Sequence, residues 1–437
     1  MGESTTAPAP GTWSAPFDLM DPGVQNCPYA AYAALREMAP VYRDPATGYY
    51  VVSRYADLRQ VLLDTENFIN QNVQVFRSRI RPSRTMKAAM LYQKSGWVPT
   101  NTLAGRDNPE HRELRSVFDW AFRPGHIREL EPFISGLAYN LIDRFAADGQ
   151  CDWVAQYAVP MSLTIIATQM GAREEDLPNL KRWTDAFARR MGMMLSGDEE
   201  FATVATEIEA QHYFQPIFER LRGHPDGSLL GDIVNKMVPE WGRTLTDREL
   251  HTEVLVDIFV AGSETTTNAI ASGLLLLIDN PHVWAALKQD RERYLKTFIE
   301  EVVRLETPVQ GLFRVAARET VLGGVTIPKD AIVNVRYAAA NRDELQFPNA
   351  ECLDLERRNA GAHLGFGSGL HHCLGASLAR CELHWAFTAV LDRFERIWLR
   401  QERESVQYHP SYVLRALSQL QIGFEMNPEP SPHRAVA

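Results

Sequence analysis

What the 437-residue chain lacks narrows its class first. No apolar run approaches the roughly 18–20 residues of a membrane span; the densest is Leu274 to Ile278. The start, MGESTTAPAPGTWSAPF, has neither a basic leader region nor an apolar one, so no secretion signal is expected. Basic residues are outnumbered: 45 Lys and Arg against 55 Asp and Glu give a net charge of -10. Nucleic acid is therefore not an expected partner, because phosphate binding asks for a basic face. Cysteine is scarce, with Cys27, Cys151, Cys352, Cys373 and Cys381 and no C-x-x-C pair. Such a set reads as reduced thiols in a cytoplasmic protein. Internal repeats and Pro/Gly/Ser-rich linkers are missing too, so length suggests several domains while no boundary marks them. Low complexity is confined to the ends. The expected domain runs over 28–426, with residues 1–27 and 427–437 as disordered tails.

Periodicity fills most of the rest with helix. Apolar stripes at helical spacing mark Pro28–Met38, Asp57–Leu63, Glu110–Phe122, Ile127–Ala147, Leu163–Met170 and Leu177–Leu221. A longer helix is predicted from Thr246, whose spacing to Glu249 makes a capping box, to Ile278 before the Asn280–Pro281 stop. Strand character is limited to a hairpin around Asp44–Gly48, the stretch Gly311–Arg336 and a short tail to Phe424. The fold class expected is mainly α with small β-sheets.

Three constellations carry chemistry. In His363 to Gly375, HLGFGSGLHHCLG, a Gly-rich loop delivers Cys373 to the start of a predicted helix. Unpaired N–H groups there stabilise a thiolate, and Gly367, Gly369 and Gly375 leave room for a large flat ligand. An ordinary buried thiol, or a zinc site using Cys381 and His384, competes with a metal-bound thiolate at this point. The second is Ala261-Gly262-Ser263-Glu264-Thr265-Thr266-Thr267, a poor helix interior where a bulge is expected. Glu264 and Thr265 offer a carboxylate and a hydroxyl suited to passing protons, against a reading as solvated or kink-filling side chains. The third, Glu301 and Arg304, shares one helix face and carries little alone.

Together the three resemble the cytochrome P-450 family of haem-thiolate monooxygenases. The haem-loop pattern F-G-x-G-x-H-x-C-x-G matches from Phe366 to Gly375, [AG]-G-x-[DE]-T-[TS] from Ala261 to Thr266, and E-x-x-R at Glu301 and Arg304. The resemblance covers about Pro28 to Phe424 and implies a single large haem-binding domain, with Cys373 as axial ligand of haem b. His111, Arg115, Arg314 and His371 would meet the haem propionates, and Ala261, Gly262, Phe366, Gly367 and Gly375 would line the cofactor. Glu264 and Thr265 take the oxygen-activation positions. Arg357 completes a buried network with Glu301 and Arg304, although Ala350, Cys352 and Leu353 depart from the usual residues beside it.

The family topology points to Phe76, Met90, Trp97, Met193, Val309, Leu312, Phe313 and Val413 as pocket residues for a mainly apolar organic substrate. A basic run, Arg77, Arg79, Arg81, Arg84 and Lys87, is either solvated or attracts an anionic group. The chain has no flavin or iron–sulfur motif. The resemblance therefore implies electrons from NAD(P)H through a ferredoxin reductase and a ferredoxin, with O2 as co-substrate, as in soluble bacterial members. A peroxide-driven peroxygenase and a non-catalytic haem-binding sensor are the alternatives.

Overall fold

The structure is a computed structural model describing residues 14–70 and 82–428, with side chains from residue 86 in the second span. Phe76, Arg77, Arg79 and Arg81, and the side chain of Arg84, lie outside the described residues. Along the chain come α1 (Pro22–Asn26), α2 (Tyr29–Met38), β1 (Val41–Arg43), β2 (Tyr50–Val52), α3 (Tyr55–Leu63) and β3 (Phe68–Ile69). Then follow α4 (Pro82–Ser95), α5 (Glu110–Ala121), α6 (Pro124–Asp143), β4 (Gln150–Asp152), α7 (Val159–Gln169), α8 (Leu177–Met191), α9 (Gly197–Leu221) and α10 (Leu229–Asn235). The central helix α11 spans Asp247–Asp279 and is followed by α12 (Pro281–Gln289) and α13 (Arg291–Leu305). The last part holds β5 (Leu312–Ala316), β6 (Thr320–Leu322), β7 (Val325–Ile327), β8 (Ile332–Val335), α14 (Tyr337–Ala340), α15 (Ala376–Arg393), β9 (Phe394–Leu399) and β10 (Gln421–Met426). At 57% helix the mainly α expectation holds.

The stripes become buried faces. On α5 the inward residues are His111, Leu114, Val117, Phe118 and Ala121, three and four apart. Helix α11 runs through the middle, packed on α7 and α15. One core cluster gathers Trp153, Tyr157, Ile270, Leu274, Phe298 and Phe387, and a second gathers Phe118, Ile166, Phe214, Phe218 and Phe259. A five-stranded sheet of order β1-β2-β8-β5-β3 closes one side, β2 running parallel to β8 and the other pairs antiparallel.

Three expectations are revised. The periodic stretch Leu177–Leu221 is two helices. Gly192 and Met193 (φ 66°) end the first, and Ser196 with Glu199 forms a capping box that starts the second. The bulge expected within Ala261–Thr267 lies earlier: α11 widens into π-turns over Glu253–Val260, and Ala261 onward is α-helical. The tail expected over 1–27 packs from the first described residues, since Leu19 is buried and α1 is capped by Asp21.

Candidate functional site

The glycine loop places Cys373 by backbone constraint. Gly367 and Gly369 both have φ of +68°, and a Cβ on Gly369 would lie 3.0 Å from the Leu62 carbonyl oxygen, so a side chain there meets backbone. The Cys373 N–H donates to the Phe366 carbonyl at 2.8 Å, closing the loop immediately before α15. Gly375 leaves that helix without a side-chain cap, and the N–H groups of Gly375 and Ala376 turn toward the sulfur. The thiol is walled by protein yet keeps accessible surface. Burial pushes its pKa up, outweighing those N–H groups and the charges of Arg115 and Arg380.

Beside the loop four basic side chains converge. His371 packs edge-on to His111 with ring centroids 4.3 Å apart, and its pKa falls to about 2 through burial and then the charges of Arg314, His111 and Arg115. His111 is 1% exposed, and neither ring nitrogen has a hydrogen-bond partner. Burial, with Arg115, lowers its pKa to about 4. Arg115 donates to the His372 carbonyl at 2.9 Å, and buried Arg314 donates to the Phe313 carbonyl at 2.8 Å. Arg115 also pairs with Asp119 at 3.0 Å, but the cluster as a whole, with a buried imidazole that has no partner, is suited to an anion.

On α11 the hydroxyls fill the carbonyls left where π-turns meet α-turns. Ser263 Oγ donates to the Phe259 carbonyl at 2.8 Å and Thr265 Oγ1 to the Ala261 carbonyl at 2.6 Å. Ala261 is exposed and Thr265 half-buried although both sit mid-helix in the protein interior. Glu264, 8% exposed, points the other way, to Lys181 of α8 at 3.4 Å; Lys181 also pairs with Asp185.

A model of the family described as cytochrome P-450 matches residues 210–424. The steroid C26-monooxygenase of Rhodococcus jostii (strain RHA1) is 30% identical over 393 residues, covering 87% of this chain and 79% of that protein. The chain belongs to the cytochrome P-450 family. The biotin biosynthesis cytochrome P-450 of Bacillus subtilis (strain 168) is 28% identical, covering 91% and 96%. The solved haem domain of the P-450 from Tepidiphilus thermophilus superposes with a TM-score of 0.84 at 28% identity, covering 93% and 96%.

Cytochromes P-450 carry haem b with a cysteine-ligated iron, and the residues here fit that group. An added Cβ on Gly375 meets nothing nearer than Cys373 Sγ at 4.0 Å, which leaves a flat approach over the sulfur. The orphaned His111 and its basic neighbours match two propionates. By contrast a Cβ on Gly262 would meet Ile166 at 3.3 Å, so that glycine lets α11 approach α7. The zinc alternative has no ligand set: among the described residues no three His, Cys, Asp or Glu side chains converge on an ion site. Nor is any single helix there long and apolar enough to cross a membrane.

Glu301 stands at the centre of a buried network with Arg304 and Arg357. Arg304 donates to both Glu301 oxygens at 2.6 and 2.8 Å and to the carbonyls of Asn341, Ala350 and Cys352, and both Glu301 and Arg304 are sealed from solvent. Arg357 Nε lies 3.0 Å from Glu301 Oε1, an ion pair without hydrogen-bond alignment, and its NH1 holds the Pro348 carbonyl. The substitutions at Ala350 and Cys352 matter little because their backbone carbonyls do the binding. A second clamp was not visible in the motifs. Glu300 accepts from Arg380 at 2.6 and 2.9 Å and contacts His363 at 3.0 Å, while the Arg380 guanidinium lies 4.4 Å from the Phe366 ring centroid. Burial would raise the Glu300 carboxyl, but those partners hold it at about 2.

Several pocket expectations are corrected. Phe313 and Val413 are 6% and 1% exposed in the core with Tyr49 and Tyr412; on β5 Phe313 points inward, and its neighbour Leu312, at 38%, takes the accessible side. Trp97 packs on His251 with ring centroids 4.1 Å apart and planes tilted by 36°, which ties the 96–105 segment to α11. Met90 is 62% exposed on α4. Val309 bridges to Leu414 through its backbone, and Met193 packs against the cluster containing Leu19 and Tyr412. Lys181 had no sequence signal, being one cation on an amphipathic helix.

Proposed function

We propose that Cys373 is the axial thiolate of haem b, held by His111, Arg115, Arg314 and His371 at its propionates. In this reading the enzyme inserts one atom of O2 into a mainly apolar organic substrate. When bound, the haem supplies dioxygen reduction and oxygen-atom transfer. The observation that carries the reading is a Cys373 that keeps accessible surface at an uncapped helix start, beside a basic cluster whose buried His111 has no partner at either ring nitrogen. Thr265 and Ala261 present the accessible face of α11. Glu264 lies behind them and receives protons from the surface through Lys181, and the Thr265 hydroxyl hands them inward. Two electrons come from NAD(P)H through a ferredoxin reductase and a ferredoxin in the cytoplasm.

The test is reconstitution of the haem-loaded protein with such an electron chain. The reduced carbon monoxide complex is expected to show the red-shifted thiolate Soret band, and Cys373→Ser to lose it. Turnover with peroxide alone at the full chain's rate would favour a peroxygenase. No turnover with any donor would favour a haem-binding sensor.

A further inference from the structure

Asp257 has no place in the oxygen chemistry, yet it sits on the same helix and the same accessible stripe. Among the residues of α11 from Glu253 to Thr267, accessible surface is kept by Val256, Asp257, Ala261, Gly262 and Thr265, and the rest are buried. Residues four apart share a helix face, so Asp257, Ala261 and Thr265 look into one space.

The carboxyl is walled by protein and accepts from the Ala104 N–H at 3.1 Å, and burial raises its pKa against that N–H and the Thr102 hydroxyl. No cation balances it: among the described residues no Lys, Arg or His pairs with Asp257, and Arg106 pairs with Glu110 at 3.0 Å. One turn earlier Glu253 is fully buried. It accepts from the Leu103 N–H at 2.9 Å and leaves Oε1 without a partner, and burial and then Asp257 raise its pKa against Leu103 and Arg106.

Fastening the 100–104 segment does not explain a charge here. Glu253 already holds Leu103, and Thr252 Oγ1 holds the Thr100 N–H at 2.9 Å. The Ala104 N–H, 3.1 Å from Asp257 Oδ2, would be served equally by an amide oxygen. A carboxylate on a walled accessible face, with no cation partner among the described residues, costs free energy unless an opposite charge arrives.

We propose that Asp257 anchors a cationic nitrogen on the substrate, so that the enzyme selects apolar amines and oxidises them at a remote carbon. The proposal rests on the haem-thiolate reading for the oxidation step and on Asp257 itself for binding. Eight residues separate Asp257 from Thr265, so the oxidised carbon lies roughly 10 Å from the nitrogen at 1.5 Å rise or less per residue.

The test uses the haem-loaded protein and three probes of one length: decyltrimethylammonium, decanol and decanoate, titrated by calorimetry below their micelle concentrations. The ammonium is chosen because it has no lone pair for iron. It should bind at least tenfold tighter than either other probe and be hydroxylated toward the far end of the chain. In Asp257→Asn, which keeps an acceptor for Ala104, the preference should shrink to within twofold, and Asp257→Glu should restore it. Equal binding of the three probes to the wild type overturns the proposal without any variant, and so does an unchanged preference in a folded Asp257→Asn. Loss of the thiolate Soret band would instead count against the haem reading, with the cation preference still read by heat.

Discussion

Replacing Glu382 by Gln should change how stability depends on pH, and the structure sets the size of the change. Glu382 lies on the face of α15 turned toward α7 and is 2% exposed. Its Oε2 and the nearby Ser162 Oγ both lack a well-aligned partner. Burial raises the carboxyl well above its usual 4.5, with only Ser162 opposing, so the folded protein holds a proton that the unfolded chain releases. Between the unfolded pKa and the raised folded one, the native state binds one proton more. Stability therefore falls as pH rises, by about 1.4 kcal/mol per pH unit. Glutamine has no such proton. Whatever constant offset the amide introduces, the stability difference between variant and wild type should shift in the variant's favour by about 2.7 kcal/mol over two pH units within that window. With roughly 0.9 kcal/mol per kelvin of unfolding entropy for a chain of this length, that is about 3 °C in relative melting temperature. Denaturant unfolding of both proteins from pH 5 to 8 measures it, since other titrating groups cancel in the difference. Parallel profiles would show that Glu382 ionises in the fold and would refute the reasoning.

Other outcomes follow from the site. Thr265→Ala should retain haem but divert reducing equivalents to hydrogen peroxide, and unchanged coupling of NAD(P)H oxidation to product would remove the hydroxyl from the proton path. Lys181→Met should leave substrate binding unchanged while lowering the product rate and raising its solvent isotope effect; a rate equal to wild type would disconnect Glu264 from Lys181. Arg304→Leu leaves Glu301 buried with Arg357 and the Asp354 N–H and strips the Asn341 and Ala350 carbonyls of their donor, a loss of about 3–5 kcal/mol that should appear as poor haem retention on expression. Gly369→Ala forces a side chain into a left-handed backbone against Leu62, at about 1–2 kcal/mol, and should release haem faster in a transfer assay.

What was legible in the sequence is what local chemistry determines. The glycines of the 363–375 loop, the cysteine ahead of a helix and the Thr246–Glu249 cap are each read from a few adjacent residues, and each has its expected geometry. Arg357 was found despite altered neighbours because its partners are a carboxylate and backbone carbonyls. Tertiary choices were not legible. Phe313 and Leu312 are adjacent apolar residues, and only the sheet decides which faces the core. Trp97 was claimed by His251 from a distant element. The break at Gly192–Met193 was masked because the apolar stripe continues across it. Asp257 does stand out locally, as the one acid inside the apolar stretch VLVDIFV.

The π-turns of α11 also make the length of that helix a functional quantity. A π-turn holds one residue more than the α-turn it replaces. Deleting a single residue between Glu253 and Val260 would let the hydrogen-bond ladder run uninterrupted as α-helix. Because the π-turns already absorb that extra residue, the two halves of the helix would keep their orientation. Only the side chains between Glu253 and Val260 would be re-aimed, Asp257 against Ala261 and Thr265 among them. A one-residue deletion there is therefore expected to be tolerated by the fold and felt at the site.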